Sequence, residues 1–549
     1  MHRISLFLFF CAYFIMASAV PAKRERYTLT LADGSTIEAT LMGDETMHFY
    51  QTDDGKCLQC DSLGIAHFVD SDVLHNRWKE KVAKRQARRA SKRRVTSWDD
   101  GAGEPLIGTK LGLVILVQFP DVPFLYPNEA FQCFFNEKGY KDGFNYGSVR
   151  DYFSDASYGQ FDFMFDVVGP VTMSQSLSHY GANNSNGDDQ HPAEMVAEAV
   201  SLVDDEVNFK DYDWNGDDEV DHIFIIHSGY DEAQSSKRDE IWSHAWTLTE
   251  AKEEGDGNGP VTADKVTIDS YATTSELRGK SGSQIAGIGT ACHEFSHCFG
   301  HPYFYDTQGY SFGMNSWSIM DTGCYNGNGG TPASFTSYER MFCGWLDPIE
   351  LIEPTKVTNM PALTSEPIAY ILRNSGKNDE YYLFENRQQE GWDKYLGGHG
   401  MLVLHVDYDK QAWHENTVNT IRSHQRMTII PADNTLYSFS LGGDPWPGTS
   451  GKTELSDTST PAVTLYNKNA DGDLLMHHSF TEIREYKDGH ISFIFDEEAL
   501  GLEGNGIMEE SINEGDIYDL QGRKIKRPST GLYIKTNTSG KTRLIIATR

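Results

Sequence analysis

Basic residues are scarce in this chain. It carries 47 Lys and Arg against 80 Asp and Glu in 549 residues, a formal net charge of −33. After residue 94 the imbalance steepens to 32 basic against 69 acidic residues, a net of −37. A surface of that sign repels phosphate backbones, which argues against a nucleic-acid partner. Long apolar runs are also missing: past the N-terminus no stretch approaches the roughly 18 residues of a membrane-spanning helix. Cysteine is sparse, with eight in all. Setting aside Cys11, Cys57 and Cys60 near the N-terminus leaves an odd five, Cys133, Cys292, Cys298, Cys324 and Cys343, which cannot pair completely.

The N-terminus is patterned. Met1-His2-Arg3 precedes an apolar run from Ile4 to Ala17 that closes on Ala17-Ser18-Ala19. A basic start, a short apolar stretch and a small-residue cleavage site read as a secretory signal peptide over 1–19, so the protein is expected to be secreted or at the cell surface. Residues 20–94 read as a propeptide. Short alternating strands such as Tyr27-Thr28-Leu29-Thr30-Leu31 come first, followed over 75–94 by ten Lys or Arg against the single acidic Glu80. Lying between two structured regions, that basic block is expected to be a protease-sensitive activation linker.

The most specific signal is Ala291-Cys292-His293-Glu294-Phe295-Ser296-His297-Cys298-Phe299-Gly300. On a helix, residues four apart differ by about 40° around the axis, so His293 and His297 share a face and can take two corners of a tetrahedral zinc shell. Glu294 flanks that face, placed to accept a proton from a zinc-activated water as general base. Ile288, Ala291, Cys292, Phe295, Cys298 and Phe299 form the opposite, apolar side, with Thr290 as an expected cap.

Downstream come Phe312-Gly313-Met314-Asn315-Ser316-Trp317-Ser318-Ile319-Met320-Asp321 and the Gly/Asn-rich run Tyr325-Asn326-Gly327-Asn328-Gly329. With the motif helix, these segments resemble the immune inhibitor A family of secreted bacterial zinc metallopeptidases, particularly its bacteroidete-type members. Ser148-Val149-Arg150-Asp151-Tyr152-Phe153 and Tyr382-Leu383-Phe384-Glu385-Asn386-Arg387 resemble further family segments, so the likeness covers nearly all of 27–495. It implies a metzincin-like site with Met320 in a tight, structural turn beneath the zinc.

One position departs from the family pattern, in which Asp stands three residues after the motif glycine. Here that residue is Tyr303, within His301-Pro302-Tyr303-Phe304-Tyr305-Asp306. Catalytic zinc takes three protein ligands plus water, so a third donor is needed. Asp306 is the first choice, with Tyr303 as a phenolate, His301 and Glu339 as alternatives.

A second ion is expected at Asp213-Trp214-Asn215-Gly216-Asp217-Asp218-Glu219-Val220-Asp221. Asp213, Asn215, Asp217 and Asp221 fall at positions 1, 3, 5 and 9 of a loop that could wrap Ca2+, with Glu219 offering its carbonyl. The match to an EF-hand loop is incomplete, because position 6 is Asp218 rather than glycine.

The whole reads as an α/β (α+β) metzincin-like zinc peptidase catalytic domain over 95–350, then a β-rich domain over 351–497. A linker at 498–512 and a short β-rich tail at 513–549 follow; the tail resembles secretion-sorting modules of exported bacteroidete proteins. The expected function is a secreted zinc endopeptidase made as a zymogen, with Zn2+ and Ca2+ as ions and proteins or peptides as substrates. The alternatives are a catalytically inactive relative acting as a surface or carbohydrate-binding protein, and a zinc hydrolase of non-peptide bonds.

Overall fold

The structure, a computed structural model, describes residues 18–44, 47–61, 63–89, 105–142, 144–184, 187–309, 311–496 and the strands within 515–547. The expected signal peptide, apart from Ser18 and Ala19, lies outside the described residues, as do 90–94 of the basic block and the linker 498–512. No helix among the described residues is long and apolar enough to cross a membrane.

The fold is mixed α+β and divides into two compact units, 1–497 and 498–549. At the centre of the first is a six-stranded sheet in the order Ser18–Ala19, His244–Thr247, Ser270–Leu277, Ile223–Tyr230, Gly108–Gln118, Phe161–Thr172. Its last four strands run parallel, while His244–Thr247 pairs antiparallel to Ser270–Leu277. The continuous apolar run at 111–117 follows from burial on both faces. Val114, Leu116, Phe224 and Ile226 point into one core, and Leu113, Ile115, Ile223 and Ile225 into another. The motif helix Ile288–Cys298 packs in the first core and the helix Pro192–Val203 in the second.

Residues 26–69 form a closed five-stranded barrel, continued by the helix Ser71–Arg89. Residues 75–89 of the basic block are therefore helical, and the start of this helix is docked, with Leu74 and Trp78 buried and Trp78 Nε1 donating to Thr307 Oγ1 at 3.1 Å.

The region expected to be β-rich contains the strands Lys377–Arg387, Gly400–Asp407 and Met427–Ile429 in a five-stranded sheet. Alternation puts Leu383, Leu402 and Leu404 in the catalytic core. Phe384, Met401 and Val403 face a three-stranded sheet on the other side. The β-rich region thus shares a core with the motif helix. The second unit is a four-stranded antiparallel sheet containing Gly515–Tyr518, Lys524–Ile525, Gly531–Asn537 and Thr542–Ala547.

Candidate metal centre

The helix Ile288–Cys298 starts from Gly287, whose extended backbone serves as N-cap without a side-chain bond. The expected cap, Thr290, lies inside the first turn instead. Glycine is required at this end because a Cβ on Gly289 would sit 1.9 Å from the Cys324 carbonyl oxygen, and one on Gly287 2.3 Å from Gly329. The Gly/Asn-rich run is thus the surface against which the helix start is pressed. The helix ends at Gly300, whose φ of +97° suits a residue without Cβ.

His293 and His297 are both buried, and their Nε2 atoms face each other at 3.1 Å. The Nδ1 of His293 donates to the Ile319 carbonyl at 2.6 Å, and that of His297 to the His301 carbonyl at 2.7 Å. A carbonyl oxygen only accepts, so each Nδ1 donates a ring proton and each Nε2 is turned toward the other ring. Burial, and secondarily the neighbouring His293, holds the His297 pKa well below the usual imidazole value, which disfavours a proton between the rings. Two imidazole nitrogens this close are spaced to share a cation. Nitrogens about 2.0–2.1 Å from one ion at a tetrahedral angle are about 3.3 Å apart, close to the observed spacing. The donor set therefore fits zinc.

Ile319 precedes Met320, which is fully buried. The Met320 amide is held by Ser318 Oγ at 2.9 Å, and that hydroxyl donates to Glu339 Oε1 at 2.5 Å. Glu339 also closes a capping box with Thr336 at the start of the helix Ser337–Phe342. Glu339, one of the alternative ligands, is thus a brace for the Met320 turn that orients His293. His301 is turned away, with Nε2 on Cys343 Sγ at 3.3 Å.

Glu294 is fully buried beside the pair, and its Oε1 accepts the Val20 amide at 3.0 Å. Val20 follows Ser18–Ala19, which adds antiparallel to the edge strand His244–Thr247. The next residues are clamped: Trp242 Nε1 donates to the Val20 carbonyl at 3.2 Å, and the Tyr325 hydroxyl to the Pro21 carbonyl at 2.9 Å. The N-terminal segment therefore lies across the site with its backbone on the expected general base. No local pattern in the sequence announces this contact, which spans 274 residues.

Asp306 is not brought to the histidines as a cluster: its Oδ1 accepts the Gln308 amide and its Oδ2 the Ser311 amide, each at 2.9 Å. These bonds shape the loop after the motif. The side chain packed on both imidazoles is Tyr303, with ring centroids 5.0 Å from His297 and 6.5 Å from His293. Its amide is fixed by Asn416 Oδ1 at 2.7 Å, a residue of the β-rich region.

The loop expected to wrap Ca2+ does form a turn, but its oxygens serve the turn itself. Asp213 accepts the amides of Gly216, Asp217 and Asp218, Asn215 Oδ1 that of Asp217, and Asp217 Oδ1 that of Glu219. Asp221 folds back on the same loop to cap the Trp214 amide, with burial pushing its pKa up to about 7. Among the described residues, the one group of three His, Cys, Asp or Glu spaced to share an ion lies elsewhere, at His191, Glu194 and Asp256.

Sequence reasoning also missed the junction around Arg387. Its guanidinium is fully buried, forked onto Asp393 through two 2.7 Å bonds and bonded to Glu385 at 3.0 Å and the Trp317 carbonyl at 3.1 Å. Asp393 Oδ1 in turn accepts the Ser334 amide and Glu385 Oε2 the Ser337 amide. The network ties the β-rich sheet to the segments that follow Met320.

Residues 110–345 match the immune inhibitor A peptidase M6 catalytic domain. The chain is also similar to the pre-pro-metalloprotease PrtV of two Vibrio cholerae serotype O1 strains, at 29% identity over 279 residues. That alignment covers 42% of this chain, which spans only 29% of the length of the curated relative. The resemblance read from the motif helix is borne out over the matched residues, and both comparisons support a metallopeptidase hydrolase.

Proposed function

We propose that this chain is an exported zinc endopeptidase made as a zymogen, hydrolysing peptide bonds in proteins or peptides. The observation that carries the reading is the pair of Nε2 atoms facing each other at 3.1 Å beside a buried glutamate, on a helix within the matched region. His293 and His297 would hold the ion. Tyr303 is favoured over Asp306 as third donor, because its ring lies against both imidazoles while Asp306 serves its own loop. Bound there, zinc supplies Lewis-acid polarisation of a peptide carbonyl and makes a water molecule acidic near neutral pH. Glu294 takes the proton from the attacking water and gives it to the departing amine. The Ile319 and His301 carbonyls fix the ring tautomers and so aim the pair. Buried Met320, next to the carbonyl that holds His293, supports a metzincin-like arrangement.

Latency is supported by Val20 and Pro21, which stay in the precursor after removal of 1–19: Val20 engages Glu294 and Trp242, and the Pro21 carbonyl is held by Tyr325. Cleavage in the basic block would detach the barrel and its leading segment from the catalytic region.

The test compares the secreted precursor with the same protein cut by trypsin near Arg89 or Arg94, using casein hydrolysis with and without a chelator. The precursor should be latent, and the cut form active, chelator-sensitive and restored by zinc. Glu294→Ala should bind zinc but lose about 10²–10⁴-fold in rate after cutting. An uncut precursor as active as the cut form sinks the zymogen reading, and chelator-resistant hydrolysis sinks the zinc reading.

A further inference from the structure

We infer that a second divalent ion of the zinc type binds at the start of the helix Pro192–Val203, held by His191, Glu194 and Asp256, independently of the His293–His297 pair. His191 precedes the helix as its N-cap residue and Glu194 is the third residue of its first turn, so both project from its beginning. Asp256 arrives from the turn after the helix Leu248–Glu254 and is anchored there, its Oδ2 accepting the Ala193 amide at 2.7 Å. The His191 Nδ1 lies 3.7 Å from Glu194 Oε2 and 3.7 Å from Asp256 Oδ1, and the three donor atoms all fall within 4.8 Å of one another.

Asp256 is what turns this cluster into a binding site. The residue is 6% exposed, and its Oδ1, shut off from solvent and aimed at His191, accepts no hydrogen bond. A buried carboxylate oxygen without a donor is costly, and a second carboxylate beside it makes the placement worse unless a cation is shared. His179 adds a possible fourth donor. Its ring stacks on His191 with centroids 4.7 Å apart, and its Nε2 is also shut off from solvent, makes no hydrogen bond and lies 3.6 Å from Glu194 Oε2.

The donor set selects the ion. Imidazole nitrogen with two carboxylates suits zinc and its neighbours, whereas Ca2+ takes six to eight oxygens. Donors about 2.0–2.2 Å from a shared tetrahedral ion sit about 3.3–3.5 Å apart, so the 3.7 Å contacts need to close by only a few tenths of an ångström. Such an ion would clip the start of one helix to the end of another that directly follows the edge strand His244–Thr247. Two residues before His191, Asp189 already accepts the Trp242 amide at 3.0 Å, so the clip would brace the surround of that strand.

The experiment uses the full chain with His293→Ala and His297→Ala, in which the first pair cannot bind. After equilibration with Zn2+ alone and gel filtration, bound zinc is measured by atomic emission and the thermal midpoint is recorded. One equivalent per chain and a raised midpoint are expected, both abolished by adding Asp256→Asn and His191→Ala. Glu194→Gln, on the exposed side of the cluster, should weaken binding at least tenfold and serves if the double change fails to fold. In the otherwise unaltered chain, His191→Ala should take the zinc content from two equivalents to one, which separates this site from the first. No retained zinc in the doubly substituted chain, as expected if protonated His191 merely pairs with the carboxylates, overturns the inference. So does an equal stabilisation by Ca2+.

Discussion

Tyr303→Phe and Asp306→Asn should separate two roles that lie three residues apart. Tyr303→Phe removes one oxygen and leaves the ring, which is 98% buried and packed on His297 and Tyr305. The fold should therefore be nearly unchanged. Structural zinc sites bind with about 10–16 kcal/mol across four ligands, so one donor accounts for about 2.5–4 kcal/mol. At about 1.4 kcal/mol per tenfold, its loss should weaken zinc binding by about 10²–10³-fold. Asp306→Asn takes the charge from a group that accepts two amides, where bonds to an ionised acceptor are worth about 1.5–3 kcal/mol each. Its cost should appear in the unfolding midpoint and leave zinc affinity within a few-fold. The assay is competition for zinc against a chromophoric chelator, with thermal unfolding alongside. Tight zinc binding by Tyr303→Phe, together with loss of zinc in a folded Asp306→Asn protein, refutes the assignment.

Arg387→Met leaves the buried Asp393 and Glu385 carboxylates without their shared cation and should cost about 3–5 kcal/mol. At about 2.1 cal/mol/K per residue, a unit of this size shifts by about 1 °C per kcal/mol, so calorimetry should show a fall of about 3–5 °C; an unchanged midpoint contradicts the network. Asp221 keeps its proton up to about pH 7 in the fold but releases it near pH 4 when unfolded. The native state thus binds more protons across that window, and stability falls as pH rises from about 4 to about 7. Asp221→Asn should raise the midpoint at pH 8 in chelator and change it little at pH 4, and the reverse order refutes the burial argument.

What could be read ahead of the structure was local. The four-residue spacing of His293 and His297 put both on one helix face, and the apolar runs at 111–117 and 381–384 lie in strands that the fold contains. The acidic run at Asp213 did mark a turn, but charge density alone could not say that backbone amides would occupy its oxygens. Third-ligand geometry was out of reach for the same reason, since a loop of six residues can present either Tyr303 or Asp306. Least legible were contacts between distant segments: Val20 on Glu294, Asp256 beside His191, and Asn416 on the Tyr303 amide. None has a sequence periodicity, because each depends on where the sheet brings two loops together.

The sheet that begins near residue 349 has consequences for how such a protein could be divided or inherited. Leu383, Leu402 and Leu404 form part of the wall of the catalytic core, and Asn416 holds the segment carrying Tyr303. A cut at the end of the matched region would uncover that wall and release the loop beside the histidines. The unit that evolution can lengthen, shuffle or attach to other proteins is therefore larger than the 236 residues, 110–345, in which the chemistry is encoded. A homology boundary here marks where sequence memory fades, while the physical boundary lies about 150 residues further on, at 497.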